Sequence, residues 1–410
     1  MHVPLPRERR HVRIAAILAA LLAGMLAVPA AEAQSWPWKW PKSGRTDFKV
    51  NATPENVILG GIKIDREPVL RIKSGNTVQI DTISHSGATN AAVDPETFFG
   101  LFGVPSDQIL QDVKDFHASL PTRERYGPHV LTGPIHVEGA EPGDMLEIEI
   151  MDIGTRVPYG VNSTGPTSGV FGTGYPGWRE GDLPLDIPEA PLGAPGGIFP
   201  GVRQHLYRTK KIYNREYGFL TEHLYAPLQP HMGVMGVAPP TGEFVGSTPT
   251  SPPPASGVQS SGPPGKFGGN MDIRDLTKGA HLYLPVFQPG ALFYTGDPHA
   301  GQGNGEVSGT AIEQSLTGKF RFILHKGKAP TLPRIEDKSN YIVMGIDHDL
   351  DRAMKIAAGE MVKFLVERGL TTAQAYSLSS VAGDFQVAEV VDGTQIIIGK
   401  LDKKIVPPLA

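Results

Sequence analysis

Not one cysteine occurs among the 410 residues. That excludes a disulfide framework and thiolate metal sites, so any metal must be held by carboxylate, imidazole and carbonyl groups. An excess of one charge sign is also missing: 38 Lys and Arg stand against 42 Asp and Glu, a formal net charge of −4. With no basic stripe interleaved with aromatics, the chain carries no electrostatic footprint for nucleic acid, and no polynucleotide partner is expected. Long apolar runs are lacking too. The run Ile14 to Val28 is shorter than the roughly 20 residues of a spanning helix, and Pro29 follows it.

That run reads instead as part of an export signal. "RERRHVR" supplies positive charge ahead of it, and Ala31-Glu32-Ala33 is a small-x-small cleavage site. Residues 1–33 are therefore expected to be a signal peptide, with the mature chain starting at Gln34 and no stable membrane span after cleavage. A periplasmic or secreted protein follows, and Arg9-Arg10 is compatible with twin-arginine export.

Glycine and proline are what the sequence has in quantity, 49 and 38 residues. They concentrate in residues 154–268, including "STPTSPPPASGVQSSGPPGKFGG", where long helices are disfavoured and surface excursions, a lid or a linker are expected. Within that insertion "KIYNREYGFL" and "HMGVMGVAPP" keep enough apolar pattern to be strands. On either side the pattern has period two. "RIKSGNTVQIDTI" and "EGAEPGDMLEIEIMDI" each enter alternating apolar residues from a Gly-Asn or Gly-Asp turn, and "AHLYLPVFQPGALFYT" and "GKFRFILHKG" are equally β-like.

The last eighty residues change to helical spacing. Leu350, Met354, Ala357, Met361, Phe364 and Leu365 form one stripe, Asp347 or Asp349 can cap it, Gly369 stops it, and Thr371 or Thr372 can cap a second helix. The expected fold is mainly β, with β-sandwich-like antiparallel sheets and a C-terminal helical hairpin. Residues 34–410 are read as one domain carrying the insertion.

Chemistry concentrates in "GDPHAGQGNGE". Residues two apart on a strand point the same way, so Asp297 and His299 converge if the strand continues past Gly296, and Glu306 can close the pocket after the Asn304-Gly305 turn. Carboxylate plus imidazole suits zinc or iron, carboxylates with carbonyls suit calcium, and a glycine-rich loop with solvated acids is the plain alternative. "GGNMD" adds Asp272 behind two glycines, and "IDTISHSG" adds Asp81 and His85 at a strand end. Glu138, Glu141 and Asp144 belong to "VEGAEPGD", where Glu-Pro-Gly-Asp forms a type II turn without needing a ligand. His231 reads as a satisfied loop histidine, and His117, His129 and His348 gain no role from their surroundings. There is no G-x-S-x-G elbow and no cysteine nucleophile, which leaves a polarised water as the attacker if hydrolysis occurs.

Four stretches resemble the acetamidase/formamidase family: "GPIHVEGAEPGDMLEIEI", "MGVMGVAPP", "GGNMDIRDLTKGAHLYLPVFQPGALFYTGDPHAGQGNGEVSGTAIE" and "MGIDHDLDRAMKIAAGEMVKFLVERGLTTAQAYSLSSVAGDFQVAEVVDG". The resemblance implies a β-rich homo-oligomer that hydrolyses a small linear amide, of formamide or acetamide type, to carboxylate and ammonia. It also implies a divalent metal, zinc or calcium. Carried onto this chain, Asp272 falls in the G-G-N-x-D segment, and Asp297, His299 and Glu306 fall in the G-D-x-H-A-x-Q-G-x-G-E segment. Two positions depart from the family pattern: Asn304 stands where an acid is common, and Ser379 where many relatives have cysteine.

The resulting expectation is metal-activated hydrolysis. Asp297 and His299, with Asp272 or Asp81, hold the metal; His299 belongs to both the ligand set and the catalytic pair, and Glu306 is the general base. The alternative is a non-catalytic envelope protein that keeps a structural calcium site and binds a ligand through the insertion.

Overall fold

The two alternating segments become strands Thr77–Asp81 and Met145–Thr155, which flank Leu316–His325 on either side, both antiparallel to it. In this computed structural model, residues 46–406 are described apart from 173, 174, 176, 178, 182–184, 189, 192, 200 and 243–256. The expected signal peptide lies outside the described residues.

Those three strands belong to a nine-stranded sheet that runs on through His281–Pro285, Arg334–Glu336, Asn340–Asp347, Gln395–Asp402 and Asp384–Glu389, with Phe48–Val50 at its other edge. Period two puts Val78, Ile80, Ile148, Ile150, Phe320 and Phe322 on one buried face. A six-stranded sheet faces it, ordered Gly268–Asn270, His231–Val237, Phe293–His299, Val130–Val137 and Val57–Leu59, with Leu70–Ile72 also pairing to Val130–Val137. Leu131, Ile135, Val234, Met235 and Phe293 from this sheet share one core with the first. The Phe293 ring meets Phe322 edge-on at 5.2 Å, which locks the two faces together. The expected β-sandwich is present.

The Gly/Pro-rich stretch is more regular than its composition suggests. Tyr159–Thr164, Arg203–Ile212, Arg215–Phe219 and Tyr225–Pro227 form a four-stranded antiparallel sheet, so "KIYNREYGFL" is a hairpin. "HMGVMGV" is a central strand of the sandwich instead, every residue buried. Two short helices, Pro95–Gly100 and Gln111–Ala118, had no counterpart in the periodicity. The first is capped by Asp94, which accepts from Thr97 N at 2.9 Å, and Phe98, Phe99, Val113 and Phe116 tie the pair to a second core.

At the C-terminus, Asp349 caps Leu350–Val366 by accepting from Arg352 N at 2.8 Å, and Thr371 opens Thr372–Ala382 through a capping box with Gln374. The buried stripe differs at one position: Ala353 is covered and Met354 is 39% exposed. Spacings of three and four from Leu350 allow either. The strand decides, because a Cβ on Gly345 would stand 1.9 Å from Ala353 O, so helix and sheet approach too closely there for a methionine. Ser379 is buried in the second helix and donates to Ala375 O at 2.8 Å.

Candidate active site

The strand Phe293–His299 does persist past Gly296, and Asp297 and His299 converge. Asp297 Oδ2 lies 3.1 Å from His299 Nε2. Ideal extended geometry is not what brings them together, because Asp297 has φ 51°, a left-handed value that bends the strand inward at that residue. Asp272 (φ 46°) and Glu306 (φ 44°) adopt the same uncommon conformation. Backbone strain at three non-glycine acids that meet in space is the pattern of a functional site.

Each residue is delivered by its own connection. Asp272 follows Gly268 and Gly269, both at positive φ, and its N–H donates to Gly233 O at 3.2 Å on the neighbouring strand. Glu306 follows the Asn304-Gly305 turn, whose Gly305 N–H donates to Ala388 O at 2.7 Å and anchors the loop on the large sheet. His299 Nδ1 lies 3.6 Å from Asp272 Oδ1, and His299 Nε2 lies 3.9 Å from Glu306 Oε1. All four side chains are buried.

Three further residues complete the cluster. Glu313 Oε1 stands 3.3 Å from His299 Nε2. His85 Nδ1 lies 3.5 Å from Asp297 Oδ1 and 3.6 Å from Glu313 Oε2, and His129 Nε2 lies 3.6 Å from Asp297 Oδ2. Glu313 closes the same motif-bearing stretch as Glu306, seven positions on, and its place there was the available signal. His129 carried no such signal, since it lies far away in the chain, in the bend just before the strand Val130–Val137. His231 opens the strand His231–Val237 rather than sitting in a loop, and its nitrogens face two carbonyl oxygens, Gln229 O at 2.9 Å and Gln302 Oε1 at 2.8 Å, of which a neutral ring with one N–H can donate to only one. Burial, with His299 alongside, pushes its pKa down to about 4.

Asp81 stands apart from this cluster. Its carboxylate accepts from Thr317 Oγ1 at 2.6 Å and faces Lys49 Nζ at 3.5 Å, within the nine-stranded sheet. The strand end that carries both residues sends His85 to the site and Asp81 away from it. Asn304 also points elsewhere and donates to Gln386 Oε1 at 3.1 Å.

The electrostatics are those of acids and imidazoles sharing one dry volume. Burial opposes charge on His299, but the Glu313 and Asp297 carboxylates outweigh it and raise the pKa well above the usual value. Burial likewise opposes charge on Asp297, and the His129 and His299 imidazoles hold its carboxyl well below the carboxylate range. Glu306 goes the other way: burial and the Asp272 carboxylate push it well above.

Several polar atoms here are buried without an aligned hydrogen-bond partner: His85 Nδ1, Asp272 Oδ1, Asp297 Oδ1, His299 Nε2 and Glu313 Oε2. Native proteins rarely leave such groups unpaired, and the donor set is one that could hold a cation. Three ligand sets, each with its atoms within 4.8 Å of one another, overlap at this point: His85, His129 and Asp297; Asp272, His299 and Glu306; Asp297, His299 and Glu313. Gly233 leaves the space open. A Cβ there would lie 2.3 Å from Asp272 Oδ1, 2.6 Å from Asp297 Oδ2 and 2.9 Å from His299 Cε1.

The family model described as the Acetamidase/Formamidase family matches residues 114–247 and 254–399, more than half of the chain and all of the cluster except His85. The chain belongs to the acetamidase/formamidase family. It is similar to an acetamidase of Mycolicibacterium smegmatis, 27% identical over 315 residues, which cover 60% of this chain and 71% of that protein. It is also similar to a formamidase of Methylophilus methylotrophus, 30% identical over 216 residues, which cover 44% of this chain and 47% of the relative. The chain thus spans about half the length of that formamidase. Among solved structures, a predicted acetamidase/formamidase from Thermoanaerobacter tengcongensis superposes with a TM-score of 0.63 at 26% identity, covering 87% of this chain and 96% of that one. An acetamidase from Yersinia enterocolitica gives 0.66 at 25%, covering 89% and 95%. The acetamidase/formamidase fold therefore extends over nearly all of the chain.

A cavity borders this site at His85. The cavity, of about 530 Å³, is lined by His85 at the cluster and by residues of the short helices and the insertion, among them Phe98, Arg123, Arg125, Phe199 and Gln204.

Proposed function

We propose that the chain hydrolyses a linear amide to a carboxylate and ammonia at the Asp272, Asp297, His299, Glu306 and Glu313 cluster. One observation carries this reading: five acidic and imidazole side chains converge on a buried point and leave donor atoms unpaired there, in a chain of the acetamidase/formamidase family.

The side chains present fit a divalent metal, zinc or calcium, because they offer carboxylate oxygens and imidazole nitrogens around the space that Gly233 leaves clear. Asp297, His299 and Glu313 would hold it, with Asp272 beside them. Such a metal, when bound, polarises an amide carbonyl and lowers the pKa of water. The protein's own groups supply the rest. Glu306, whose Oε1 lies 3.9 Å from His299 Nε2, would take a proton from the attacking water and return it to nitrogen as the C–N bond breaks. His299 is fixed from behind by Gln302 and keeps Nε2 turned toward the carboxylates. Burial excludes bulk water, so these interactions act in a low-dielectric site.

The proposal extends to location and assembly. The basic, apolar and small-residue pattern of residues 1–33 supports export to the periplasm or beyond. A homo-oligomer is proposed by analogy with the family. Among the described residues, no helix is long and apolar enough to cross a membrane.

Ammonia release from an amide panel, with and without chelator, tests the reading. Release that chelation abolishes supports it. Calcium-dependent melting without ammonia release from any amide would point to the non-catalytic ligand-binding alternative.

A further inference from the structure

The cavity beside His85 is out of proportion to formamide or acetamide, which have three and four heavy atoms. At about 530 Å³ it falls in the range of roughly 300–1,000 Å³ typical of pockets that hold drug-sized ligands. His85 is the residue that the cavity lining shares with the cluster, its Nδ1 3.5 Å from Asp297 Oδ1 and 3.6 Å from Glu313 Oε2, so its ring stands between the cavity and the acids.

The walls have a definite chemistry. Phe98 and Phe199 supply apolar faces with ring centroids 6.4 Å apart. No Asp or Glu lines the cavity, and two arginines do. Arg123 is spent on the protein, donating to Ser119 Oγ and to Val57 O at 3.1 Å. Arg125 is exposed, donates through Nη2 to Thr89 O at 2.9 Å, and pairs with no carboxylate among the described residues. A guanidinium has five N–H donors, so Arg125 keeps a free fork. Gln204 adds a second sign of a built pocket: it is 4% exposed, and its Oε1 has no hydrogen-bond partner.

We propose that the substrate is a primary amide on an acyl chain of several carbons that ends in a carboxylate. The amide end reaches the cluster past His85, the methylenes lie against Phe98 and Phe199, and the distal carboxylate pairs with the Arg125 guanidinium in the positive field of Arg123. This rests on the hydrolytic reading above. Water adds to the carbonyl carbon, both of its protons pass to the leaving nitrogen as the C–N bond breaks, and the products are a dicarboxylate and an ammonium ion.

The test compares three amides on the full-length protein: acetamide, hexanamide and the monoamide of a six-carbon dicarboxylic acid. The expected result is a kcat/KM for the carboxylate-bearing amide about two- to fivefold above that for hexanamide, the scale of an ion pair on an exposed arginine. Arg125→Gln should bring that ratio toward one, and Arg125→Lys should restore part of it. Equal kcat/KM for the two six-carbon amides, or turnover of acetamide alone, would overturn the proposal and leave amide hydrolysis standing. Calorimetric binding of the six-carbon dicarboxylate against hexanoate gives an independent reading. Arg125-dependent binding with no ammonia from any amide would keep the pocket assignment and end the hydrolytic reading, and failure of both measurements would overturn both.

Discussion

Gln302 Oε1 lies 3.0 Å from His299 Nδ1, and the same side chain donates from Nε2 to Asp272 O at 2.7 Å. The carbonyl acceptor fixes which way the amide points, so its oxygen takes the Nδ1 proton and His299 presents Nε2 to Asp297, Glu313 and Glu306. Gln302 also faces His231 Nε2 at 2.8 Å, which packs the two imidazoles edge to face.

Gln302 is therefore a positioning residue. Gln302→Leu removes the group that sets the ring's orientation, and a loss of such support typically costs about 10–100-fold in metal affinity. Competition with a metal-binding dye measures it, alongside circular dichroism to check the fold. An affinity within twofold of wild type would show that the ring is held by packing alone.

Gly233→Ala tests the space at the centre. Its methyl would intrude on Asp272, Asp297 and His299 at once. The expected cost is about 1–3 kcal/mol of stability from overpacking. Misplacement of the reacting groups should lower kcat/KM by about 100-fold. Denaturant melts and ammonia assays read the two effects; an alanine variant with normal activity and metal content would refute the assigned centre.

Glu306→Gln keeps size and the left-handed backbone position but removes the base. We expect kcat to fall by about 10²–10⁴-fold. Metal content, read by elemental analysis, separates the roles: retained metal identifies a base, whereas metal lost in step with activity identifies a ligand.

Acid sensitivity should involve Asp144, far from the cluster. Burial raises its pKa, but Lys326 Nζ at 2.7 Å and the N–H groups of Gly327 and Glu141 outweigh that and hold the carboxyl below its usual range. A depressed folded pKa adds stability above the unfolded value of about 3.9, and that contribution is lost as pH falls through the folded value. Asp144→Asn should lower Tm at pH 7, and the gap from wild type should shrink below about pH 4. A gap that stays constant down to pH 2 would count against this account.

Much of the local structure was legible in the chain. Alternation marked Thr77–Asp81 and Met145–Thr155, and capping chemistry marked both C-terminal helices to within a residue or two, because these are short-range effects of side-chain direction and backbone hydrogen bonding. Asp272, Asp297, His299 and Glu306 stood out because glycines and a turn pair surround them. His85 was named only as one of two candidates at a strand end, and Glu313 and His129 were not singled out, since their proximity depends on how segments far apart in the chain are packed.

Sequence by itself thus determined the absence of thiol chemistry, the alternating faces, the helix ends and a short run of acids and histidines. Tertiary structure decided which of those side chains meet. It turned Asp81 toward Thr317 and Lys49, brought His85, His129 and Glu313 to the cluster, and covered Ala353 where Met354 was expected. The reason is that periodicity specifies a residue's face but not its partner. Partners follow from strand order, register and the left-handed bends at Asp272, Asp297 and Glu306, which exist only once the sheets have packed.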